Sequence, residues 1–329
     1  MVCTDINQHR RSRRRFLQFA LLFTSTACLS LSGCTTSSQQ RDVPNAKLRV
    51  VATSTILADL TATIGGEAIE VIGILKPGTD PHVYEPVPTD SRAFEEADLT
   101  LYNGYNLEPG LIKLMNASGS NTPRIPIGEV VKPLQLDRKN KPTVPDPHVW
   151  GDVKNVIRMV EAIRQALSDR SPTHKAKFDQ NADRLTKELT QLDRWIGQQI
   201  QTIPPNQRRL VTTHDAFQYY ARAYSLEIIG TLIGISTEEQ PSAQTVQALV
   251  ESVKSSKAPA IFAETTINPT LIQTVAQEAG VKLAPRPLYS DSIGAPNSDG
   301  NSYIKMMTAN TCVITEALGG KCTPFVPSL

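Results

Sequence analysis

Between residues 172 and 203 the chain carries its most regular pattern. Phe178, Ala182, Leu185, Leu189, Leu192, Ile196 and Ile200 recur at steps of three and four, one apolar stripe along a helix, and Pro204-Pro205 ends it. From Pro172 to Thr202 such a helix runs roughly 45 Å at ~1.5 Å per residue. A stripe of that length must be buried somewhere. It can lie across two lobes of the same chain, or pair with a second copy as a coiled coil. The stripe drifts at its C-terminal end and is interrupted by Ala182, which favours packing against the chain's own lobes.

Both flanks of the stripe alternate strands with helices. Before it come strands at Leu48–Ala52, Ile69–Leu75 and Leu99–Tyr102, and helices at Ile56–Ile64, Asp90–Asp98 and Pro109–Asn116. After it come strands at Arg209–Thr213, Ile228–Gly230, Ala260–Ala263 and Leu283–Pro287, with helices at Ala216–Tyr224, Ala243–Ser256, Thr270–Ala279 and Tyr303–Leu318. Alternation of this kind predicts parallel sheets covered by helices. The expected fold class is α/β, with two lobes joined by one long backbone helix: an N-terminal lobe at 47–171, the linking helix at 172–203 and a C-terminal lobe at 204–329. About 285 residues suffice for two such lobes, each with its own core.

The first 34 residues read as an address. Arg10, Arg11, Arg13, Arg14 and Arg15 precede an apolar stretch from Phe16 to Leu31 that is too short and too polar for a membrane span. Ser12-Arg13-Arg14-Arg15-Phe16-Leu17 resembles a twin-arginine export signal, and Leu31-Ser32-Gly33-Cys34 resembles a bacterial lipobox with Cys34 as the lipidated residue. Residues 35–46 are polar and aperiodic and suit a flexible tether. The expected location is extracytoplasmic (periplasmic), on a membrane through a lipid anchor. Of five cysteines, Cys3 and Cys28 leave with the leader and Cys34 takes lipid. Cys312 and Cys322 remain in a compartment that permits pairing, and Gly319-Gly320 can turn the chain so that they meet. A disulfide is expected; a two-thiol metal site lacks further donors nearby. The formal charge of +2 includes the arginine-rich leader, and no basic stripe with interleaved aromatics is present, which argues against nucleic acid.

Five histidines are present, and three stand in similar settings: Asp80-Pro81-His82, Asp146-Pro147-His148 and Thr213-His214-Asp215. With Asp291 in Tyr289-Ser290-Asp291-Ser292 they make three imidazoles and a carboxylate, a complete tetrahedral donor set. Each lies near an expected strand-to-helix junction, where open α/β sheets bind ligands. Taken singly, each has a plainer reading. His82 can be a solvated loop residue, His148 a core histidine beside Trp150, His214 a helix cap and Asp291 a turn residue. Two come from each lobe, so they can meet only in the cleft between lobes. His174, in the first turn of the long helix among charges, is assigned no function.

The chain resembles the metal-binding receptors of ABC importers for zinc and manganese, the TroA-like group called cluster A-I. The resemblance is carried by Pro77-Gly78-Thr79-Asp80-Pro81-His82-Val83-Tyr84-Glu85-Pro86, Ala97-Asp98-Leu99 with Tyr102-Asn103-Gly104, Asp146-Pro147-His148-Val149-Trp150, Thr213-His214-Asp215-Ala216-Phe217-Gln218-Tyr219-Tyr220, Gly234-Ile235-Ser236-Thr237 and Leu288-Tyr289-Ser290-Asp291-Ser292. It runs from about Leu48 to Gly319. It implies two α/β lobes on one rigid helix, and His82, His148, His214 and Asp291 around one divalent ion, Zn²⁺ or Mn²⁺, as transported ligand. It also implies an ABC permease and its ATPase as partners; a monomer is expected. Zinc-directed relatives often carry a histidine-rich loop, and residues 105–145 contain no histidine. Three imidazoles favour zinc, while the absent loop and the aspartate draw the assignment back towards the mixed zinc/manganese subgroup, which leaves both metals open.

Asp80, Asp146 and Asp215 adjoin the histidines, and each either accepts a ring N–H or caps a local turn. Two rival functions are weighed. A metal-dependent hydrolase needs an open coordination position and a base, and no His-Glu-x-x-His helix or serine elbow is present. Adhesion as a surface lipoprotein is the other.

Overall fold

The computed structural model describes residues 47–119, 121–138 and 141–327. The expected leader with Cys34, and the tether, lie outside the described residues. The chain opens with β1 (Leu48–Ala52), α1 (Thr55–Gly65), β2 (Ile69–Gly73), α2 (Pro88–Glu96), β3 (Leu99–Tyr102), α3 (Pro109–Ala117) and β4 (Arg124–Pro126). These strands form one parallel sheet in the order β2-β1-β3-β4. Val50 and Val51 of β1 are both fully buried, as a central parallel strand requires. Ser54 caps α1 by accepting the Leu57 N–H at 3.2 Å, and Gly66, with φ +54°, lets the chain leave the helix.

A hairpin unseen in the sequence follows, β5 (Gln135–Arg138) against β6 (Lys141–Pro145), antiparallel. Next come α4 (Val153–Arg170) and α5 (Lys175–Gln201), the latter entered through a 3₁₀ turn at Pro172–His174. The long helix is therefore three residues shorter at its start than its sequence pattern predicts. The first turn is wound tighter, with the His174 N–H donating to the Ser171 carbonyl at 3.0 Å, the 3₁₀ closure common at helix starts.

The second lobe holds β7 (Arg209–Thr212), α6 (Gln218–Tyr224), β8 (Glu227–Thr231), α7 (Ala243–Ser256), β9 (Ala260–Ile261), α8 (Thr270–Ala279), β10 (Lys282–Leu283) and α9 (Tyr303–Ala317). β7 pairs β8 and β9 pairs β10, all parallel. The Phe262 N–H donates to the Val211 carbonyl at 2.9 Å and joins the two ladders, giving the order β8-β7-β9-β10. Each lobe thus puts its first strand inside the sheet, with the second strand on one side and the third on the other. The strand expected over Leu283–Pro287 stops at Leu283 because Pro285 and Pro287 have no N–H to donate. Pairing resumes when the Leu288 N–H reaches the Ala263 carbonyl at 2.9 Å.

All seven stripe residues of α5 are buried within this one chain. The helix packs on α1 and α4 of the first lobe and on α6 and α9 of the second. Alternate residues of the strands face different layers. Val50, Ala52, Leu210, Ala260 and Phe262 join a single apolar core that runs through α5 from lobe to lobe. Val51 turns instead to a cluster under α2 and α3, and Val211 and Ile261 to one under α7 and α8. The lobes therefore share their principal core, where the sequence suggested a core for each. Burying each of the leucines and isoleucines of the stripe stabilises this arrangement by about 1.5–3 kcal/mol before entropy is counted.

After α9, Cys312 is joined to Cys322, with Cα atoms 5.1 Å apart. The tail is fastened to the end of α5, where Gln199 Oε1 accepts the Thr323 N–H at 2.9 Å and Trp195 Nε1 donates to the Thr323 carbonyl at 3.2 Å. Among the described residues no helix is long and apolar enough to cross a membrane.

Candidate metal centre

Four loops at the carboxyl side of the two sheets bring His82, His148, His214 and Asp291 together. All four are buried, and one donor atom from each lies within 4.8 Å of all the others. His82 Nε2 is 3.2 Å from His148 Nε2, while the Asp291 oxygens stand 3.3 Å from His148 Nε2 and 3.2 Å from His214 Nε2. Four donors around a tetrahedral ion at ~2.0 Å would be spaced by about 3.3 Å, so the cluster has the dimensions of a coordination sphere. Both Asp291 oxygens and His214 Nε2 are buried without a hydrogen bond. They face each other at ion-pair distance but not in donor-to-acceptor alignment. A cation at the common centre would satisfy these groups together.

Each donor is held by its own loop. In Asp146-Pro147-His148, Asp146 Oδ1 accepts both the His148 backbone N–H (3.0 Å) and its ring Nδ1–H (2.8 Å). The Nδ1 proton is thereby fixed and Nε2 is left facing the centre. Asn103 Nδ2 donates to the Pro147 carbonyl at 3.0 Å, and the Tyr219 hydroxyl, from the second lobe, donates to the Asp146 carbonyl at 2.9 Å. His214 follows β7, and Glu264, three residues past β9, grips it twice. Glu264 Oε1 accepts the His214 backbone N–H at 2.8 Å, and Oε2 makes a short contact with ring Nδ1. Asp291 is brought in by the segment after β10, where Trp150 Nε1 donates across the lobes to the Ser290 carbonyl at 3.0 Å.

The three neighbouring aspartates divide. Asp146 reaches a ring nitrogen. Asp80 Oδ1 accepts the His82 backbone N–H at 2.9 Å and no ring contact, and Asp215 Oδ1 accepts from Gln218 Nε2 at 2.7 Å. Glu264 escaped the sequence reading. Its signal was available: an acid placed directly after a buried apolar strand, Ala260-Ile261-Phe262-Ala263, at the sheet end that carries His214. His174 stays outside the cluster, exposed and paired with the Ser171 hydroxyl at 2.8 Å.

The electrostatics follow the partners. Burial pushes the His82 ring down to about 3, against the pull of Asp291. Burial also opposes a charge on His148, but Asp146 and Asp291 outweigh it and hold the ring up at about 9. His214 is opposed by burial too, and the charges of Glu264 and Asp291 lift it well above the histidine range. Burial would raise Asp291, yet the two imidazoles hold it well below the carboxylate range.

Comparison with known proteins adds a second line. Residues 50–317 match the family model of zinc-uptake complex component A, periplasmic, called ZnuA. The chain belongs to the ZnuA family. It is 32% identical over 310 residues to a manganese ABC transporter substrate-binding lipoprotein of Streptococcus gordonii, covering 92% of this chain and 98% of the relative. It is 33% identical over 290 residues to the manganese-binding lipoprotein MntA of Halalkalibacterium halodurans, covering 88% and 95%. Among solved structures, the periplasmic zinc-binding protein TroA from Treponema pallidum superposes with a TM-score of 0.78 at 30% identity, over 83% of this chain and 99% of that one. In this ZnuA-family chain several of the motifs behind the sequence resemblance support the cluster. Asn103 steadies the His148 loop, and Thr237 of Gly234-Ile235-Ser236-Thr237 donates to Asp80 at 2.6 Å.

Proposed function

We propose that this chain is the extracytoplasmic solute-binding component of an ABC importer. It captures one divalent transition metal ion, Zn²⁺ or Mn²⁺, between His82, His148, His214 and Asp291 and hands it to a membrane permease driven by an ATPase. The observation that carries this reading is the convergence of four buried donor atoms, within 4.8 Å, from loops of both lobes. Family membership supports it, as do relatives named as manganese ABC transporter substrate-binding lipoproteins and a neighbour named for periplasmic zinc binding. The names divide between two metals, and the donors suit both. Imidazoles favour zinc in intrinsic affinity, while the carboxylate is a harder donor that manganese accepts. We read the protein as a carrier rather than an enzyme, because four protein donors fill a tetrahedron and a catalytic zinc keeps one position for water. Cys34 would hold the monomeric protein to the membrane by lipid.

The test is metal analysis of protein purified without added ions, followed by titration with Zn²⁺ and Mn²⁺ against a chromophoric chelator. One ion per chain is expected, and His214→Ala should weaken binding by more than about 100-fold, beyond what loss of an outer partner costs. Wild-type affinity in His214→Ala would overturn the four-donor assignment. Competition between the two ions in the same assay ranks them, and uptake by cells carrying His214→Ala reports whether capture serves transport.

A further inference from the structure

The tripeptide Asp-Pro-His occurs twice, and the two copies are wired differently. Both aspartates accept the backbone N–H of their own histidine, at 2.9 Å for Asp80 and 3.0 Å for Asp146. Asp146 uses the same oxygen to brace the His148 ring. Asp80 leaves its ring alone and spends its other oxygen on the second lobe, where Thr237 Oγ1 donates to Asp80 Oδ2 at 2.6 Å. Among the described residues no carboxylate lies within ion-pair distance of the His82 ring, whereas His148 and His214 each have two. The loop that carries His82 is tied to the second lobe once more, through the Gly78 N–H to Ser292 Oγ at 2.8 Å. Immediately past His82 the chain reaches solvent, with Val83 48% exposed.

His82 is therefore placed by its loop and not by a partner behind the ring, and that loop takes its position from the opposite lobe. We propose that Thr237, acting through Asp80, is a positioning residue for His82, so that His82 is presented to the metal only while the lobes are together. This rests on the metal-capture reading above. When the lobes part, the Thr237 hydroxyl leaves Asp80, the turn that holds the His82 backbone loses its outer support, and His82 departs first. His148 and His214 remain braced by Asp146 and Glu264 within their own lobes. Release then proceeds from a fixed side of the cluster. A short hydroxyl-to-carboxylate bond in a nearly buried setting is strong enough to matter here, since bonds to charged groups exceed neutral ones.

The experiment measures the dissociation rate of Zn²⁺ and of Mn²⁺ from the full chain by stopped-flow trapping with excess chelator. Thr237→Val, which keeps the shape and removes the hydroxyl, should release metal about tenfold faster. Thr237→Ser should stay within about twofold of the parent, since it restores the donor. The deciding arm is a cycle with His82→Ala. If Thr237 works through His82, Thr237→Val adds nothing to the release rate in that background. An equal acceleration in both backgrounds would mean that Thr237 only clamps the lobes, and an unchanged rate in Thr237→Val alone would mean that it does neither; either result overturns the proposal. The capture reading is tested separately by His214→Ala. If that variant keeps its metal the reading itself falls, and if it loses metal while Thr237→Val behaves as the parent only the latch falls.

Discussion

Buried ionisable groups in this molecule come in two settings, and the contrast explains the charge state of the site. At the seam of the lobes, Asp146, His148, Asp291, His214 and Glu264 form a continuous run of carboxylates alternating with imidazoles. On the first lobe, His82 and Glu108 are buried with no ionic partner of opposite sign within ion-pair distance among the described residues. Glu108 Oε1 accepts from the Thr53 hydroxyl and the Asn103 N–H, both at 2.7 Å, while Oε2 is buried without a partner. The partnered imidazoles are pushed up, and the unpartnered groups are pushed towards their neutral forms: His82 down to about 3, Glu108 up to about 7, in both cases by burial. The same degree of burial has opposite consequences because a counter-charge repays desolvation and neutral hydrogen bonds repay only part of it.

The largest consequence should appear in stability without metal. His148→Ala strands Asp146 and His214→Ala strands Glu264, each as a buried charge without its imidazole, and either change leaves Asp291 with one imidazole in place of two. Either change is expected to lower the unfolding free energy by about 3–5 kcal/mol. His82→Ala strands nothing and should cost about 1 kcal/mol, the ordinary value for a point change. Urea unfolding of chelator-treated protein gives all three numbers. Equal losses would erase the distinction between partnered and unpartnered histidines.

Glu108 sharpens the comparison from the acidic side. Its folded pKa, about 7, lies above the ordinary value of 4.5, so the folded state holds a proton that the unfolded chain has already lost. Stability should therefore fall as pH rises from about 4.5 to about 7 and then level off, at a total cost on the order of 3 kcal/mol. Glu108→Gln keeps an acceptor for Thr53 and Asn103 and cannot ionise. Compared with the parent, it should lose this slope and be the more stable protein at pH 8, again in metal-free urea titrations. A slope equal to the parent's would show that Glu108 is not the group responsible.

Much of the site was legible because its donors sit in local motifs, and one brace was legible because it is local as well: Asp146 stands two residues from His148. Glu264 acts across 50 residues, and its place after an apolar strand does not say which residue it braces. Thr237 reaches Asp80 across 157. Only the folded sheet, which sets strand ends side by side, makes such pairs neighbours. The alternation of strands and helices marked the fold class, and the apolar stripe marked α5. The stripe could not reveal that both lobes drain into one core, because a period of 3.6 shows a buried face without saying what covers it. Short strands suffered most. Residues 135–145 carry two prolines, Pro142 and Pro145, in place of a clean alternation, so the β5–β6 hairpin left no period-two trace.

The two braces themselves differ in how many oxygens they use, and that predicts unequal effects from the same chemical change. Glu264 commits both oxygens to His214, one to the backbone N–H and one to the ring. In Glu264→Gln one of those positions becomes an NH₂ group facing an N–H, so charge and a hydrogen bond are lost together. Asp146 serves the His148 backbone and ring with Oδ1 alone, and its Oδ2 has no partner. In Asp146→Asn the amide nitrogen can take the Oδ2 position, and only the charge is lost. Loss of an outer partner costs about 10–100-fold in metal affinity, and we expect Glu264→Gln near the upper figure and Asp146→Asn near the lower. Competition titrations with the chelator used for the parent protein decide the order. If Asp146→Asn proves the more damaging, the brace works through its charge and the count of bonds is irrelevant.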